Sequence, residues 1–113
     1  MRSKRTKALE FSSAARAEMW ERDQGCIFCK MGLDPPYMAV YGYQAMHYIG
    51  RGRGGLGIAQ NGAIGCIGHH SMLDQSEHMG YMRELFKQYL VACYPDWDEN
   101  NLKFDRWEVF DGI

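Results

Sequence analysis

The stretch HYIGRGRGGLGIAQNGAIGCIGHHSMLD, residues 47–74, decides how this chain is read. It opens on His47 and closes on His69, His70 and Asp74, with Arg51, Arg53, Asn61 and Cys66 between them. Glycine is costly inside helices and strands, so residues 50–57 cannot form a regular element. Asn61-Gly62 is a turn signal. Ala63 to Ile67 is short and apolar, which predicts a strand that runs into a helix near His69. On the other side, Ala45 to Ile49 is a strand candidate, with His47 near its end.

Upstream lies Cys26-Ile-Phe-Cys29. With Cys66-x-x-His69 it makes two pairs of metal-type residues, each with a two-residue gap. Three thiolates and one imidazole suit tetrahedral Zn²⁺, and such a set is common in structural sites. The spacing therefore predicts a structural zinc at Cys26, Cys29, Cys66 and His69. The knot joins points about forty residues apart and holds His47 and Asn61 on a short leash. The opposing reading is two unrelated pairs of buried, reduced cysteines. Cys93 stands apart and reads as a small core hydrophobe.

Adjacent helical residues diverge by about 100°, so His70 should point away from the ion that His69 holds. Asp74 shares a helix face with His70. An imidazole and a carboxylate at that spacing can hold one divalent cation, and they can equally form a surface hydrogen bond. His47, with an ordinary histidine value near ~6.5, can take a proton from water at neutral pH, or it can be a satisfied structural residue. Arg51 and Arg53 have the fork that matches phosphate oxygens, on a loop that lets a ligand approach the backbone. The same run also fits a flexible RNA-binding tract or a plain loop. His78 has no partner at a useful spacing.

Working outward, 113 residues make room for one domain, and a core this small gains from a metal. Aromatic residues at 13% argue against disorder, and no apolar run approaches the ~18 residues of a membrane helix. The basic start, Met-Arg-Ser-Lys-Arg-Thr-Lys, lacks the apolar core of a secretory signal. Net charge is −1, yet residues 1–73 carry nine Lys/Arg against five Asp/Glu, and residues 74–113 carry four against nine. The candidate site thus sits in the cationic part, as polyanion binding would require. Residues 1–10 read as a basic flexible arm, and 11–113 as the single domain. Ser12 or Ser13 caps a helix over Ala14 to Asp23, which Gln24-Gly25 ends. Residues 30–37 form a loop, Met38 to Tyr43 is a weak strand candidate, and Lys103 to Phe110 is a weak terminal strand. Met82, Leu85, Phe86, Tyr89, Leu90 and Cys93 share one face of an amphipathic helix that starts near Glu77 and stops at Pro95. Asp96 caps a brief turn through Asn100.

Taken in order, Cys-x-x-Cys, HYIxRxRGGLGI, Asn, and CxxHHxxxD resemble the zinc-containing branch of the HNH endonucleases. The likeness is greatest to the small bacteriophage and prophage forms, and it covers about residues 14–107. It implies an α+β fold: a small ββα-metal, treble-clef-like domain with a structural zinc knot and flanking helices. It implies hydrolysis of DNA phosphodiester bonds. His47 then matches the general base, Asn61 the residue that fixes the loop and orients that base, and His70 a ligand of the catalytic ion. Asp74 falls where a further ligand is often found. The catalytic ion would be Mg²⁺, Mn²⁺, Ni²⁺ or Zn²⁺. The implied partner is DNA, reached through Arg51 and Arg53, in the cytoplasm of a bacterial host or phage-infected cell and away from membranes. A place beside the phage packaging machinery rests on family analogy alone. The chain departs from the pattern at three places. Met46 stands where Asp or His often supplies another ligand, with Gln44 or water to replace it. Gly50 stands where proline is common, and His69 where a fourth cysteine is commoner. Met46 is the feature that favours the alternative, a non-catalytic zinc-stabilised nucleic-acid-binding module.

Overall fold

The computed structural model describes residues 3–34 and 42–104. The elements run α1 (Lys4–Leu9), α2 (Ser13–Asp23), α3 (Ile27–Lys30), β1 (Tyr43–His47), β2 (Gly62–Cys66), α4 (Ile67–Leu73) and α5 (Ser76–Cys93). Single 3₁₀ turns occupy Arg51–Arg53, Ala59–Asn61 and Glu99–Asn101. This is a small α+β fold around one antiparallel two-stranded sheet, in which Tyr43 pairs with Cys66 and His47 with Gly62.

The helix ends follow from local chemistry. Ser12 caps α2, its hydroxyl accepting from the Ala15 N–H at 3.0 Å. At the other end Gln24 takes the left-handed cap conformation (φ 54°), and Gly25 follows it with a positive φ of its own (139°). The Gln24 amide side chain donates to the Trp20 and Glu21 carbonyls, both at 3.1 Å, which offsets the strain of a non-glycine residue there. Where the sequence reads as a loose basic arm, residues 4–9 form a short helix capped by Ser3, with Leu9 buried. Helix α5 presents Met82, Phe86 and Leu90, all fully buried, as the 3.6-residue period requires. Cys93 at its last turn is half-buried. Asp98, rather than Asp96, caps the following turn, accepting from the Asn100 N–H at 2.9 Å.

The sheet packs on both faces. One core holds Met46, Ala63, Phe28, Phe86, Leu90 and Leu102. A smaller one, of Phe11, Met19, Ala59 and Ile64, joins the strands to α2. Met46 is fully buried, and strand alternation turns it to the face opposite His47. Gly65 makes room for it: a Cβ there would lie 2.3 Å from the Met46 sulfur. The position expected to offer or lack a metal ligand is therefore a core position.

A buried ion pair bolts α2 to the rest. The Asp23 carboxylate accepts from Arg22 Nε (2.6 Å), from the Ile64 N–H (2.8 Å) and from the Tyr89 hydroxyl. Arg22 in turn donates to the Ala59 and Gly62 carbonyls at 2.9 and 2.7 Å. Burial works against the Arg22 charge, and the Asp23 carboxylate outweighs it, so the guanidinium holds its proton more firmly than usual. Every lone pair has a donor, the condition under which a buried pair is tolerated. The strand candidates over Met38 to Tyr43 and Lys103 to Phe110 lie mostly outside the described residues. Lys103 itself forms a bridge with Gly55.

Candidate metal centre and adjoining cavity

Two cysteines act as helix caps. Cys26 precedes α3 and its sulfur accepts from the Cys29 N–H at 3.4 Å. Cys66 precedes α4 and its sulfur accepts from the His69 N–H, also at 3.4 Å. Each x-x gap is thus the first turn of a helix, and that turn aims the fourth residue back at its own cap. The two turns meet. His69 Nδ1 lies 3.3 Å from Cys26 Sγ, 3.4 Å from Cys29 Sγ and 3.3 Å from Cys66 Sγ, and the Cys29 and Cys66 sulfurs are 3.9 Å apart. All four ligand atoms fall within 4.8 Å of one another, close enough to hold a metal ion. Without a cation the group opposes ionisation: desolvation and the neighbouring thiols push Cys29 up to about 12. Burial pushes His69 below the ordinary histidine value, so its ring is neutral, the form a metal requires. The backbone of Asp34 and Leu33 pulls the other way, although His69 Nε2 closes no hydrogen bond.

Helix α4 divides its two imidazoles as the 100° step predicts. His69 is fully buried at the thiols, and His70 faces a cavity of about 370 Å³ on the other side. His47, Arg51 and Asp74 line the same cavity, so one space brings together residues from β1, the glycine loop and α4. His70 Nδ1 lies 2.5 Å from Gln44 Oε1. An amide oxygen only accepts, so Nδ1 is the donor in this contact and Nε2 is the nitrogen left for another partner. Gln44, named with water as a substitute ligand, is the residue that holds the His70 ring.

His47 is held by the opposite nitrogen. Its Nε2 lies 2.7 Å from the Leu9 carbonyl, which also only accepts, so Nδ1 carries the free lone pair. Phe11 packs on the ring at 4.1 Å between centroids. Burial lowers the His47 pKa below its ordinary 6.5; the Leu9 bond pulls upward, and Arg51, His70 and Arg16 push further down. At neutral pH the ring is uncharged and able to accept.

Asn61 stands behind the loop and is fully buried. Its Oδ1 accepts from the Ile49 N–H at 2.8 Å, and its Nδ2 donates to the Ile49 and Leu56 carbonyls at 3.1 and 2.8 Å. The two ends of the loop after His47 are thus tied to one side chain, and within the loop the Gly55 N–H donates to the Gly50 carbonyl at 3.0 Å. Gly55 permits the closure, since a Cβ there would sit 1.7 Å from the Ile49 oxygen. Arg53 does not share the first cavity. It lines a second, of about 230 Å³, on the far side of His47 and Asp74.

Several contributors escape sequence reasoning. The Leu9 carbonyl is a backbone group 38 residues from His47 and has no sequence signature. Phe11 and Arg16 line the cavity only because α1 and α2 fold over β1. Glu10 also lines it. Compared with known proteins, the chain matches no family model, no curated protein and no solved structure.

Proposed function

We propose that the protein is a metal-dependent DNA endonuclease of the HNH type, with β1, β2 and α4 as its ββα-metal unit and a structural zinc at Cys26, Cys29, Cys66 and His69. The observation that carries this reading is the pairing of His47 and His70 across one cavity, each ring tied by one nitrogen so that the other is free.

The zinc assignment rests on the donor set and its spacing. Tetrahedral zinc with Zn–S near 2.3 Å would set its sulfurs about 3.8 Å apart, and the Cys29–Cys66 separation is 3.9 Å. In the cavity, His70 Nε2 and the Asp74 carboxylate are the residues that would hold a divalent cation, Mg²⁺, Mn²⁺, Ni²⁺ or Zn²⁺. Such an ion, when bound, stabilises charge on the scissile phosphate and the leaving oxygen.

The chain's own residues do the rest. His47 Nδ1 takes a proton from water as the water oxygen bonds to phosphorus; one phosphorus–oxygen ester bond breaks, and the departing oxygen is protonated from solvent. The Leu9 carbonyl keeps His47 in the right tautomer and stabilises the imidazolium as it forms. Asn61 fixes the loop that follows the base. Arg51 at the first cavity and Arg53 at the second meet phosphate oxygens.

Plasmid nicking tests the proposal. With Mg²⁺, Mn²⁺ or Ni²⁺ the wild type converts supercoiled DNA to open circle, and His47→Ala is slower by about 100-fold or more. Equal nicking by the two proteins would mean contamination and end the proposal. One observation favours the second reading, a non-catalytic zinc-stabilised nucleic-acid-binding module. Among the described residues, the thiol–imidazole cluster is the one group of three or more Cys, His, Asp or Glu side chains close enough to share an ion. Tight, salt-sensitive DNA binding with no turnover under any divalent ion would select that reading.

A further inference from the structure

Helix α5 reads in the sequence as a packing helix, and Arg83 does not pack as its neighbours do. It sits beside buried Met82, its guanidinium carbon 5.2 Å from the Tyr48 ring centroid. Its Nε is buried with no hydrogen-bond partner, and among the described residues no carboxylate pairs with it. A cation partly withdrawn from water without a counter-ion is costly, and an anion arriving there removes the cost.

The space beside Arg83 is the second cavity, of about 230 Å³. Arg53 lines it from the glycine loop. His47, Gly50, Leu73 and Asp74 line both this cavity and the first, so the two spaces share a wall. The Asp74 carboxylate on that wall works against an anion; two guanidinium groups outnumber it. Both arginines present planar forks suited to phosphate oxygens, and the Tyr48 ring holds one of them in place.

We infer that this second cavity is a binding site for the phosphate adjacent to the scissile one, with Arg83 and Arg53 as its donors. A strand crossing the shared wall puts consecutive phosphates in the two cavities. The inference rests on the nuclease reading of the first cavity, and it adds a substrate-binding residue from α5, whose Met79 also lines the second cavity.

The test is binding of a short fluorescein-labelled DNA duplex to the zinc-loaded chain, followed by anisotropy in KCl between about 50 and 200 mM. Arg83→Gln should weaken binding about tenfold and flatten the slope of log affinity against log salt by about 1. Arg83→Lys, which keeps the charge and loses the fork, should restore the slope and only part of the affinity. A purely structural role would lower the melting midpoint and leave the slope alone, and an unchanged slope overturns the inference. If Arg83→Gln fails to fold, Arg83→Lys decides, and affinity equal to wild type overturns it. Wild type that nicks, with an Arg83→Gln slope like its own, loses the subsite and keeps the nuclease. Wild type that binds with an Arg83-dependent slope and never nicks keeps the subsite and loses the nuclease. No binding by wild type overturns both.

Discussion

Replacing Asn61 by aspartate should cost at least as much as replacing it by alanine, although aspartate is the closer shape. Asn61 makes three hydrogen bonds while fully buried: it accepts from the Ile49 N–H and donates to the Ile49 and Leu56 carbonyls. At about 1 kcal/mol net for each bond, Asn61→Ala loses about 3 kcal/mol. For a chain of this size that lowers the melting midpoint by roughly 10–15 °C. Asn61→Asp keeps the acceptor but loses both donors, and it sets a buried carboxylate against two carbonyl oxygens. Removing a partner from a buried charge costs about 3–5 kcal/mol, so the deficit should match or exceed that of alanine. The pH dependence gives a second signature. Burial and the carbonyls favour the neutral form of the introduced carboxyl, so its folded pKa is raised above the unfolded value near ~3.9. A raised pKa contributes stability that is present below the unfolded value and lost as pH rises through the folded one. The deficit of Asn61→Asp relative to wild type should therefore widen between about pH 5 and pH 8, while that of Asn61→Ala stays level. Urea denaturation of zinc-loaded protein across that range measures both. An Asn61→Asp variant within ~0.5 kcal/mol of wild type at neutral pH would refute the hydrogen-bond account of the loop.

Other consequences follow from the same geometry. In the proposed reaction the neutral His47 ring is the base, and burial, Arg51, His70 and Arg16 hold its pKa below 6.5. A pH profile of kcat/KM for nicking should therefore fall only on the acid side, with its limb below 6.5, and Arg51→Gln should move that limb upward; a limb above neutrality contradicts the assignment. Gly55→Ala forces a Cβ to 1.7 Å from the Ile49 oxygen, which is backbone and cannot swing away, so the loop must shift. A loss of about 1–3 kcal/mol in urea and the loss of nicking are expected, and wild-type stability would contradict the close approach. Cys29→Ser removes one of four converging ligand atoms, so it should abolish stoichiometric zinc and lower the melting midpoint. A chelator that leaves the midpoint of wild type untouched would count against a structural metal.

The parts of this protein that are legible in its sequence are those whose signal is local. Cys26-x-x-Cys29 and Cys66-x-x-His69 are readable because each gap is one helical turn, and the structure brings the two turns together. The divergence of His69 from His70, and the buried stripe Met82, Phe86 and Leu90, follow from the same helical period. Strand parity places Met46 in the core, on the face opposite His47, and adjacency to His47 in the sequence masks that. What stays illegible is set by long-range packing. The carbonyl that fixes the His47 tautomer belongs to an apolar residue in a stretch that reads as a tail. The Arg22–Asp23 pair looks like ordinary surface charge until Ile64 and Tyr89 close around it. Arg83 differs from a solvated arginine through the Tyr48 ring beneath it and the burial of its Nε, neither of which a sequence shows.

In the proposed reaction His47 removes the proton from the attacking water. Single-turnover nicking by His47→Ala, with and without added imidazole, tests it most directly. The expected rate is lower by about 100-fold or more, partly restored by imidazole entering the space that the side chain leaves, with the restored rate following the neutral imidazole fraction as pH changes. A variant that nicks as fast as wild type without imidazole would contradict it.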